Sequence, residues 1–315
     1  MQIRYSLLLI LLVIAPRLIF SQKVIFEGLK DINGTQLYFK VIGEGEPLLI
    51  IHGGPGLNHN YFLPHLESLA KKYQLIFYDQ RSAGQSALNV KAYMTLKTFS
   101  EDIEAIRIVF GIEKLNILCH SWGALPATQY AIDHPDKLNA IIYCSPIPLS
   151  SKLAMQSNQV GIEKTTSADS LKRAQLIASP GFQKGDMATV NALMMLSFKQ
   201  VFCDTTKMEK FDPKLPENYL VASLSLSGLM ADMKGYNYYP KLSAVKDVPV
   251  LIIHGSCDIV VPEADQKIKD ALPNATMITF ENSGHFPFIE ENRRFNKTVK
   301  KFLRGTQDTG HKTQD

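Results

Sequence analysis

The stretch NILCHSWGA, residues 116–124, decides how the rest of this chain is interpreted. An apolar run typical of a buried strand ends at Ser121, and a pattern typical of a helix follows it. A serine at such a junction, flanked by small residues, is typical of a nucleophile elbow, a tight turn that exposes the hydroxyl. Gly123 supplies one small residue, and Cys119 stands where a second glycine is usual. The stretch alone fits an ordinary strand–helix turn equally well, so other residues must decide.

The composition is that of a globular protein with a large core. The 315 residues are 45% hydrophobic and 20% charged, which suits one large α/β domain or two ordinary ones. The net charge of +4 includes Arg4 and Arg17, so it falls to +2 if the N-terminal segment is removed. Such a small charge, without a basic stripe, predicts no nucleic-acid partner.

Residues 1–21 are predicted to be a signal peptide. A short basic start at Arg4 precedes an apolar run over residues 6–14, and Pro16 and Arg17 interrupt it. The run is well short of the ~20 residues that span a bilayer. We expect cleavage after Ser21, a periplasmic or secreted protein, and no stable membrane insertion afterwards. An uncleaved membrane anchor is the alternative.

The order of apolar runs predicts an α/β fold. Asn33-Gly34 separates two strand-like runs and is a strong hairpin signal. Uninterrupted apolar runs, which are typical of parallel strands covered on both faces, then alternate with helical patterns, among them 100–111 and 124–134. The runs lie at 47–51, 75–78, 115–118, 140–144, 249–253 and 276–280.

The alternation of strands and helices breaks off in the middle of the chain, where helical patterns such as 189–201 and 219–233 dominate. We therefore predict a doubly wound, mostly parallel sheet with a helical cap inserted after the sixth strand. The predicted boundaries are 22–146 and 245–305 for the two parts of the α/β core, 147–244 for the cap and 306–315 for a polar tail.

Two further residues complete the candidate chemistry of Ser121. A serine hydroxyl needs a general base, and the base needs an acid that orients it. Asp258 follows the run 249–253, and His285 follows the run 276–280. The order serine, aspartate, histidine is the one that accompanies a nucleophile elbow. Three suitable residues, each placed after a strand signal and in the appropriate order, favour a catalytic triad over three ordinary loop residues.

The glycine-rich stretch HGGPG, residues 52–56, is the candidate oxyanion hole. It follows an apolar strand, and glycines let backbone N–H groups approach a ligand closely. We expect the N–H of Gly54, or less favourably of Gly53, to act together with the N–H of Trp122. No metal-ligand spacing is visible and no cofactor is expected. The cysteines at 119, 144, 203 and 257 allow disulfides, but the sequence assigns none.

The motifs together resemble the proline iminopeptidase family of α/β-hydrolases. The resemblance rests on HGGPG (52–56), DQRSAGQS (79–86), HSWG (120–123), HGSCD (254–258) and GHF (284–286). It implies serine hydrolysis by Ser121, Asp258 and His285. It also implies release of an N-terminal proline, or a similar residue, from peptides through an acyl-enzyme.

The chain departs from the family pattern in three ways. Cys119 replaces the elbow glycine, and Ser82 replaces a glycine of the DQR stretch. The tryptophan-rich cap pattern with glutamates for the substrate amine is not visible, and Trp122 is the only tryptophan. The cap offers Glu163, Glu209 and Glu217, each more easily interpreted as a surface charge, so the amine-binding residue stays unknown.

Two alternatives remain beside the aminopeptidase. An esterase, lactonase or amidase acting on a small apolar acyl substrate would use the same triad. Its pocket would draw on cap methionines that otherwise pack helices, namely Met187, Met194, Met195, Met230 and Met233. A binding protein of hydrolase fold is the other alternative. The expected partner is a small peptide or small molecule, and the oligomeric state is open.

Overall fold

The computed structural model describes residues 23–89 and 94–310. The predicted signal peptide and the last five residues of the predicted tail lie outside the described residues. In the part of the chain that is described, no helix is long and apolar enough to cross a bilayer.

Eight strands form one sheet in the order β1-β2-β4-β3-β5-β6-β7-β8. Their bounds are β1 Val24–Ile32, β2 Thr35–Ile42, β3 Glu46–Ile51, β4 Tyr73–Tyr78, β5 Leu115–His120, β6 Leu138–Cys144, β7 Val250–Gly255 and β8 Ala275–Phe280. Strands β1 and β2 pair antiparallel, as do β2 and β4, and all other pairs are parallel. The predicted mostly parallel sheet is therefore confirmed.

The hairpin between β1 and β2 turns at Asn33 and Gly34, whose φ angles are 46° and 75°. Two successive residues in the left-handed region match the twist of the flanking strands, which explains the Asn-Gly signal.

Helices cover both faces of the sheet, which is why its parallel strands are apolar throughout. Every residue of β5 and β7 is buried. Alternate residues of β3 face two different hydrophobic clusters, with Leu49 and Ile51 in one and Leu48 and Ile50 in the other. The core helices are α1 Leu96–Val109, α2 Ala124–Asp133, α9 Pro262–Ala271, α10 Pro287–Glu290 and α11 Asn292–Gly310.

A helical cap is inserted between β6 and β7, after the sixth strand as predicted. Its helices are α3 Ser151–Lys164, α4 Ser167–Ala178, α5 Pro180–Gln183, α6 Met187–Phe198, α7 Tyr219–Ser225 and α8 Leu229–Asp232. Side-chain caps begin several of them, such as Thr166, which accepts from Asp169 N. The entry and exit of the cap meet in a β-bridge between Ser150 and Asn237.

The turn after β5 has the close packing that the sequence suggested. Ser121 adopts a φ of 54°, in the left-handed region. A Cβ on Gly123 would lie 2.7 Å from the carbonyl oxygen of Ile51, so only glycine fits between β5 and β3 there. Cys119 is tolerated because its buried Sγ lies beside β6, 3.5 Å from the carbonyl oxygen of Ile142.

Candidate active site

The structure brings Ser121, His285 and Asp258 into one hydrogen-bonded row. Ser121 Oγ lies 2.8 Å from His285 Nε2, and His285 Nδ1 lies 2.7 Å from Asp258 Oδ2. All three residues are buried. They stand at the carboxyl ends of β5, β8 and β7, where parallel strands collect functional groups.

The hydrogen bonds fix the tautomer of His285. An ionised Asp258 accepts from Nδ1–H, which leaves Nε2 free to accept the proton of the Ser121 hydroxyl. Asp258 is itself held, because its Oδ1 accepts from the backbone N–H of Ile259 at 2.6 Å and of Val260 at 3.3 Å. The row can therefore remove a proton from a serine hydroxyl and stabilise the resulting imidazolium.

The loops that carry the acid and the base also bond to each other and to the cap. Cys257 N donates to Ser283 O at 3.0 Å, and His285 N donates to Val201 O of the cap at 2.7 Å. A Cβ on Gly284 would overlap that same Val201 carbonyl, which requires glycine before the histidine. A disulfide between Cys203 and Cys257 adds a covalent tie between the cap and the loop of Asp258. Cys119 and Cys144 are free and buried.

Glu290 holds the cap segment and the histidine loop together. Its Oε1 accepts from Cys203 N at 2.8 Å and Asp204 N at 3.0 Å, while its Oε2 accepts from Gly284 N at 2.6 Å. Burial raises the pKa of the Glu290 carboxyl. The sequence did not predict this function of Glu290. No local pattern indicates that a glutamate in the short helix after the histidine loop accepts hydrogen bonds from three backbone N–H groups.

Only one of the two glycines expected at the oxyanion hole is available. The N–H of Gly53 donates to the Tyr61 hydroxyl at 2.5 Å, and that hydroxyl lies 2.9 Å from His120 Nδ1. The expectation for Gly53 is thus corrected: its donor is already used inside the protein. Gly54 N–H has no hydrogen-bond partner among the described residues, and its φ of 133° suits glycine. Trp122 N–H lies at the start of the helical segment, where N–H groups lack helical partners.

The Tyr61 arrangement also defines the state of His120. His120 Nε2 lies 2.8 Å from the carbonyl oxygen of His285 and donates to it, so Nδ1 accepts from the Tyr61 hydroxyl. Burial lowers the pKa of His120 well below its ordinary value, so the ring stays neutral. A neutral ring beside Ser121 therefore supports the backbone of the candidate base without adding charge to the site.

Gln80 connects the two segments that carry the candidate oxyanion donors. Its side-chain Nε2 donates to the carbonyl oxygen of His52 at 2.7 Å, and its Oε1 accepts from Trp122 Nε1 at 3.0 Å. Its backbone N–H donates to His52 Nε2 at 2.9 Å. The DQR stretch thus has a structural function that the motif alone did not reveal. The neighbouring Arg81 pairs with the buried carboxylate of Asp102.

A cavity of about 400 Å³ lies above Ser121, between the glycine-rich loop and the cap. Its wall is mainly apolar, with contributions from Leu57, Phe182, Val190, Leu193, Met194, Phe198, Leu220 and Phe286. None of the described residues that line it is an aspartate or glutamate. Polar side chains are contributed by Tyr219, Ser223, Ser197 and Arg173, besides the histidines and Ser121.

The cap glutamates considered as amine ligands lie elsewhere. Glu163, Glu209 and Glu217 are all exposed and do not line this cavity. Among the cap methionines, Met194, Met195 and Met233 pack against the hydrophobic clusters, and Met194 also lines the cavity. Nothing resembling a metal site occurs among the His, Cys, Asp and Glu residues that the structure describes.

Replacing Glu290 with Gln should weaken the link between the cap and the histidine loop. The NH₂ group of the new amide cannot accept a hydrogen bond. At least one of the backbone N–H groups that now donate to the carboxylate would therefore lose its acceptor. We expect the free energy of unfolding to fall by about 1–3 kcal/mol. The amide of Gly284 should also exchange hydrogen faster, measured by mass spectrometry.

The matched control is Glu281→Gln, which removes the same charge from an exposed position just before the loop. Equal stability and equal exchange of Gly284 in both variants would contradict the importance of the Glu290 contacts.

Comparison with known proteins places this geometry in a family. The family model described as alpha/beta hydrolase fold matches residues 46–292. A proline iminopeptidase of Lactobacillus delbrueckii subsp. lactis is 30% identical over 293 residues, 85% of this chain and 94% of the relative. The proline iminopeptidase of Clostridioides difficile (strain 630) is 28% identical over 298 residues, 89% of this chain and 98% of the relative.

Solved structures share the fold at lower identity. The proline iminopeptidase of Mycobacterium smegmatis superimposes with a TM-score of 0.67 at 20% identity, covering 90% of this chain and 100% of that one. The enol-lactonase of Burkholderia xenovorans LB400 gives a TM-score of 0.63 at 18% identity, covering 88% and 99%. The family match and the relative at 30% identity confirm the resemblance of the motifs: the chain belongs to the α/β hydrolase fold family and is a hydrolase of the proline iminopeptidase type.

Proposed function

We propose that this chain is a serine aminopeptidase that releases an N-terminal proline, or a similar small residue, from short peptides. The observation that carries the proposal is the row of hydrogen bonds from Ser121 through His285 to Asp258, placed at the base of a cavity that the cap closes. The proline iminopeptidase relatives supply the substrate class.

In the first half of the reaction, Ser121 Oγ attacks the carbonyl carbon of the first residue while its proton passes to His285 Nε2. The N–H groups of Gly54 and Trp122 stabilise the negative oxygen of the tetrahedral intermediate. Asp258 stabilises the imidazolium. The C–N bond then breaks, and His285 returns the proton to the leaving amine, so that an acyl ester of Ser121 remains.

In the second half, water attacks the ester carbonyl and gives its proton to His285. Collapse of the second tetrahedral intermediate breaks the bond to Ser121 Oγ, which takes back the proton from His285. The released amino acid carries the new carboxyl group, and the enzyme returns to its starting state.

The size and polarity of the cavity favour a small, apolar first residue. A volume of about 400 Å³ is at the low end for small-molecule pockets. Its apolar wall suits a pyrrolidine ring or a short aliphatic side chain. The hydroxyls of Tyr219 and Ser223 are neutral polar groups available to a substrate amine in this wall.

Labelling with a fluorophosphonate tests the nucleophile. We expect the wild type to be labelled covalently and Ser121→Ala to lose both labelling and hydrolysis, with kcat reduced on the order of 10⁴- to 10⁶-fold. Ser225→Ala is the control, because Ser225 is a cap serine outside the cavity lining. Labelling of Ser121→Ala as strong as that of the wild type would exclude Ser121 as the nucleophile.

An esterase or lactonase is the second candidate. It is favoured by the composition of the cavity, in which none of the described lining residues is a carboxylate that would pair with a substrate ammonium. Three solved structures of similar fold are described as esterases or as an enol-lactonase. An ester of a small apolar acid needs only the triad, the oxyanion donors and an apolar wall.

A panel of three substrates separates the two candidates. For an aminopeptidase, we expect proline 4-nitroanilide to be hydrolysed about 100-fold faster than its N-acetyl derivative, because the acetyl group removes the amine and enlarges the acyl part. The third substrate, 4-nitrophenyl butyrate, monitors ester hydrolysis. Turnover of the butyrate with no hydrolysis of the free-amine anilide would favour the esterase and contradict the aminopeptidase.

We further propose that the protein is exported, with residues 1–21 removed. The N-terminal sequence pattern supports this proposal, and the Cys203–Cys257 disulfide suits an oxidising compartment. N-terminal sequencing of the mature protein should begin at Gln22. Recovery of an intact N-terminus in the membrane fraction would instead support the uncleaved anchor.

A further inference from the structure

Arg173 is the only permanently charged side chain among the described residues that line the cavity above Ser121. It projects from α4 of the cap, so it belongs to the roof of the site and not to the core. The other lining residues are apolar, neutral and polar, or histidines. A guanidinium in such a wall is unexpected for an enzyme that would receive a substrate cation.

The guanidinium is held in place but is not neutralised. Its Nη1 donates to Ser197 Oγ of α6 at 2.7 Å. None of the described carboxylates forms an ion pair with it. The remaining N–H groups of the planar fork are therefore free to bind an acceptor in the cavity.

A second cavity of about 660 Å³, between the cap and the core loop at Ile259, adjoins the first and shares Arg173 and Ser197 with it. This second cavity carries an excess of positive charge. Lys199 is neutralised by Asp169, with 2.8 and 2.9 Å between the ammonium and the two carboxylate oxygens. Lys164 is not, because its ammonium donates to the backbone carbonyls of Cys257 and Asp258. No carboxylate among the described lining residues therefore neutralises the positive charges of Lys164 and Arg173.

We propose that Arg173 binds a carboxylate of the substrate and is a specificity-determining residue of this hydrolase. The proposal rests on the proposed function, since it assigns a substrate class to the same site. A guanidinium pairs with a carboxylate through two parallel hydrogen bonds, which gives both charge and orientation. The carboxylate has two chemical sources: the C-terminus of a very short peptide, or an acidic substituent on the acyl group.

A C-terminal carboxylate would make the enzyme a dipeptidase or tripeptidase in practice. In a longer peptide the C-terminal carboxylate would lie too far away to bind Arg173. The guanidinium would then face an uncharged part of the peptide and would have no acidic partner. The second cavity gives a short leaving segment polar walls and two nearby cations. An acyl carboxylate would instead select substrates such as dicarboxylic half-esters.

Two pairs of substrates, each differing only in a carboxylate, test the proposal and separate the sources. The peptide pair is prolylglycine and prolylglycinamide. The ester pair is 4-nitrophenyl hydrogen succinate and its methyl ester. In one of the pairs we expect the wild type to prefer the acid about 5- to 20-fold in kcat/KM, mainly through KM, because the pairing is charge-assisted but partly exposed.

The variant Arg173→Gln should reduce that preference to about 1. The matched control is Lys172→Gln, which removes one positive charge from the adjacent position of α4, outside the lining of both cavities. The control should keep the preference. Because Arg173 is exposed, both variants should unfold at the temperature of the wild type.

Preference for the acid in the peptide pair alone identifies the C-terminal carboxylate, and preference in the ester pair alone identifies an acyl carboxylate. Equal kcat/KM values within both pairs for the wild type would overturn the proposal, as would an unchanged preference in Arg173→Gln. If no free-amine peptide is cleaved, the aminopeptidase proposal fails, while the ester pair still decides the function of Arg173.

Discussion

The parallel alignment of β3, β5, β7 and β8 is the constraint on which the whole site depends. It brings the carboxyl ends of four strands to one edge of the sheet, so that short loops from distant parts of the chain meet there. Ser121 and His285 are 164 residues apart in sequence, yet a hydrogen bond joins their side chains. The close approach of Gly123 to the end of β3 then sets how near the glycine-rich loop lies to the serine.

Around this edge, buried polar side chains are paired with one another in fixed protonation states. Burial lowers the pKa of His52 to about 4, and its neutral Nε2 accepts from Gln80 N. His120 is neutral for the same reason and accepts from the Tyr61 hydroxyl. A buried polar group without a partner would lower the free energy of unfolding by about 1–3 kcal/mol. Because these groups are paired and the rings are neutral, they hold the loop backbone without burying additional charge. The rings of His52 and His120 therefore add no charge beside the triad.

The sequence was sufficient to predict the sheet, the cap and the row of three side chains, because each depends on local patterns. An uninterrupted apolar run indicates a strand that is buried on both faces of the sheet. Each functional side chain comes shortly after such a run in the sequence. The ends of elements were less accurate. Strand β5 continues to His120, since its backbone still pairs with β6, and α1 begins at Leu96 because Thr95 and Thr98 cap it. The helical pattern at 219–233 is divided into α7 and α8, with Gly228 between them.

Contacts between segments far apart in the chain could not be predicted in this way. No periodicity or local motif predicts the partners in such contacts. Examples are the hydrogen bond between Gly53 and Tyr61, the bridging position of Gln80 and the contacts of Glu290. The Cys203–Cys257 pairing is of the same kind. The cap residues also illustrate the limit, since the spacing of methionines along a helix does not say which of them faces a cavity and which packs on the core.

The Cys203–Cys257 bond has a consequence for how molecules enter and leave. It fastens one corner of the cap to the residue before Asp258, beside the hydrogen bond from His285 N to Val201 O. Because that corner is covalently fixed, the cap cannot separate from the loop of Asp258 there. Widening of the cavity is therefore left to wall segments away from that corner, such as α5 and α7, which contribute Phe182, Tyr219, Leu220 and Ser223.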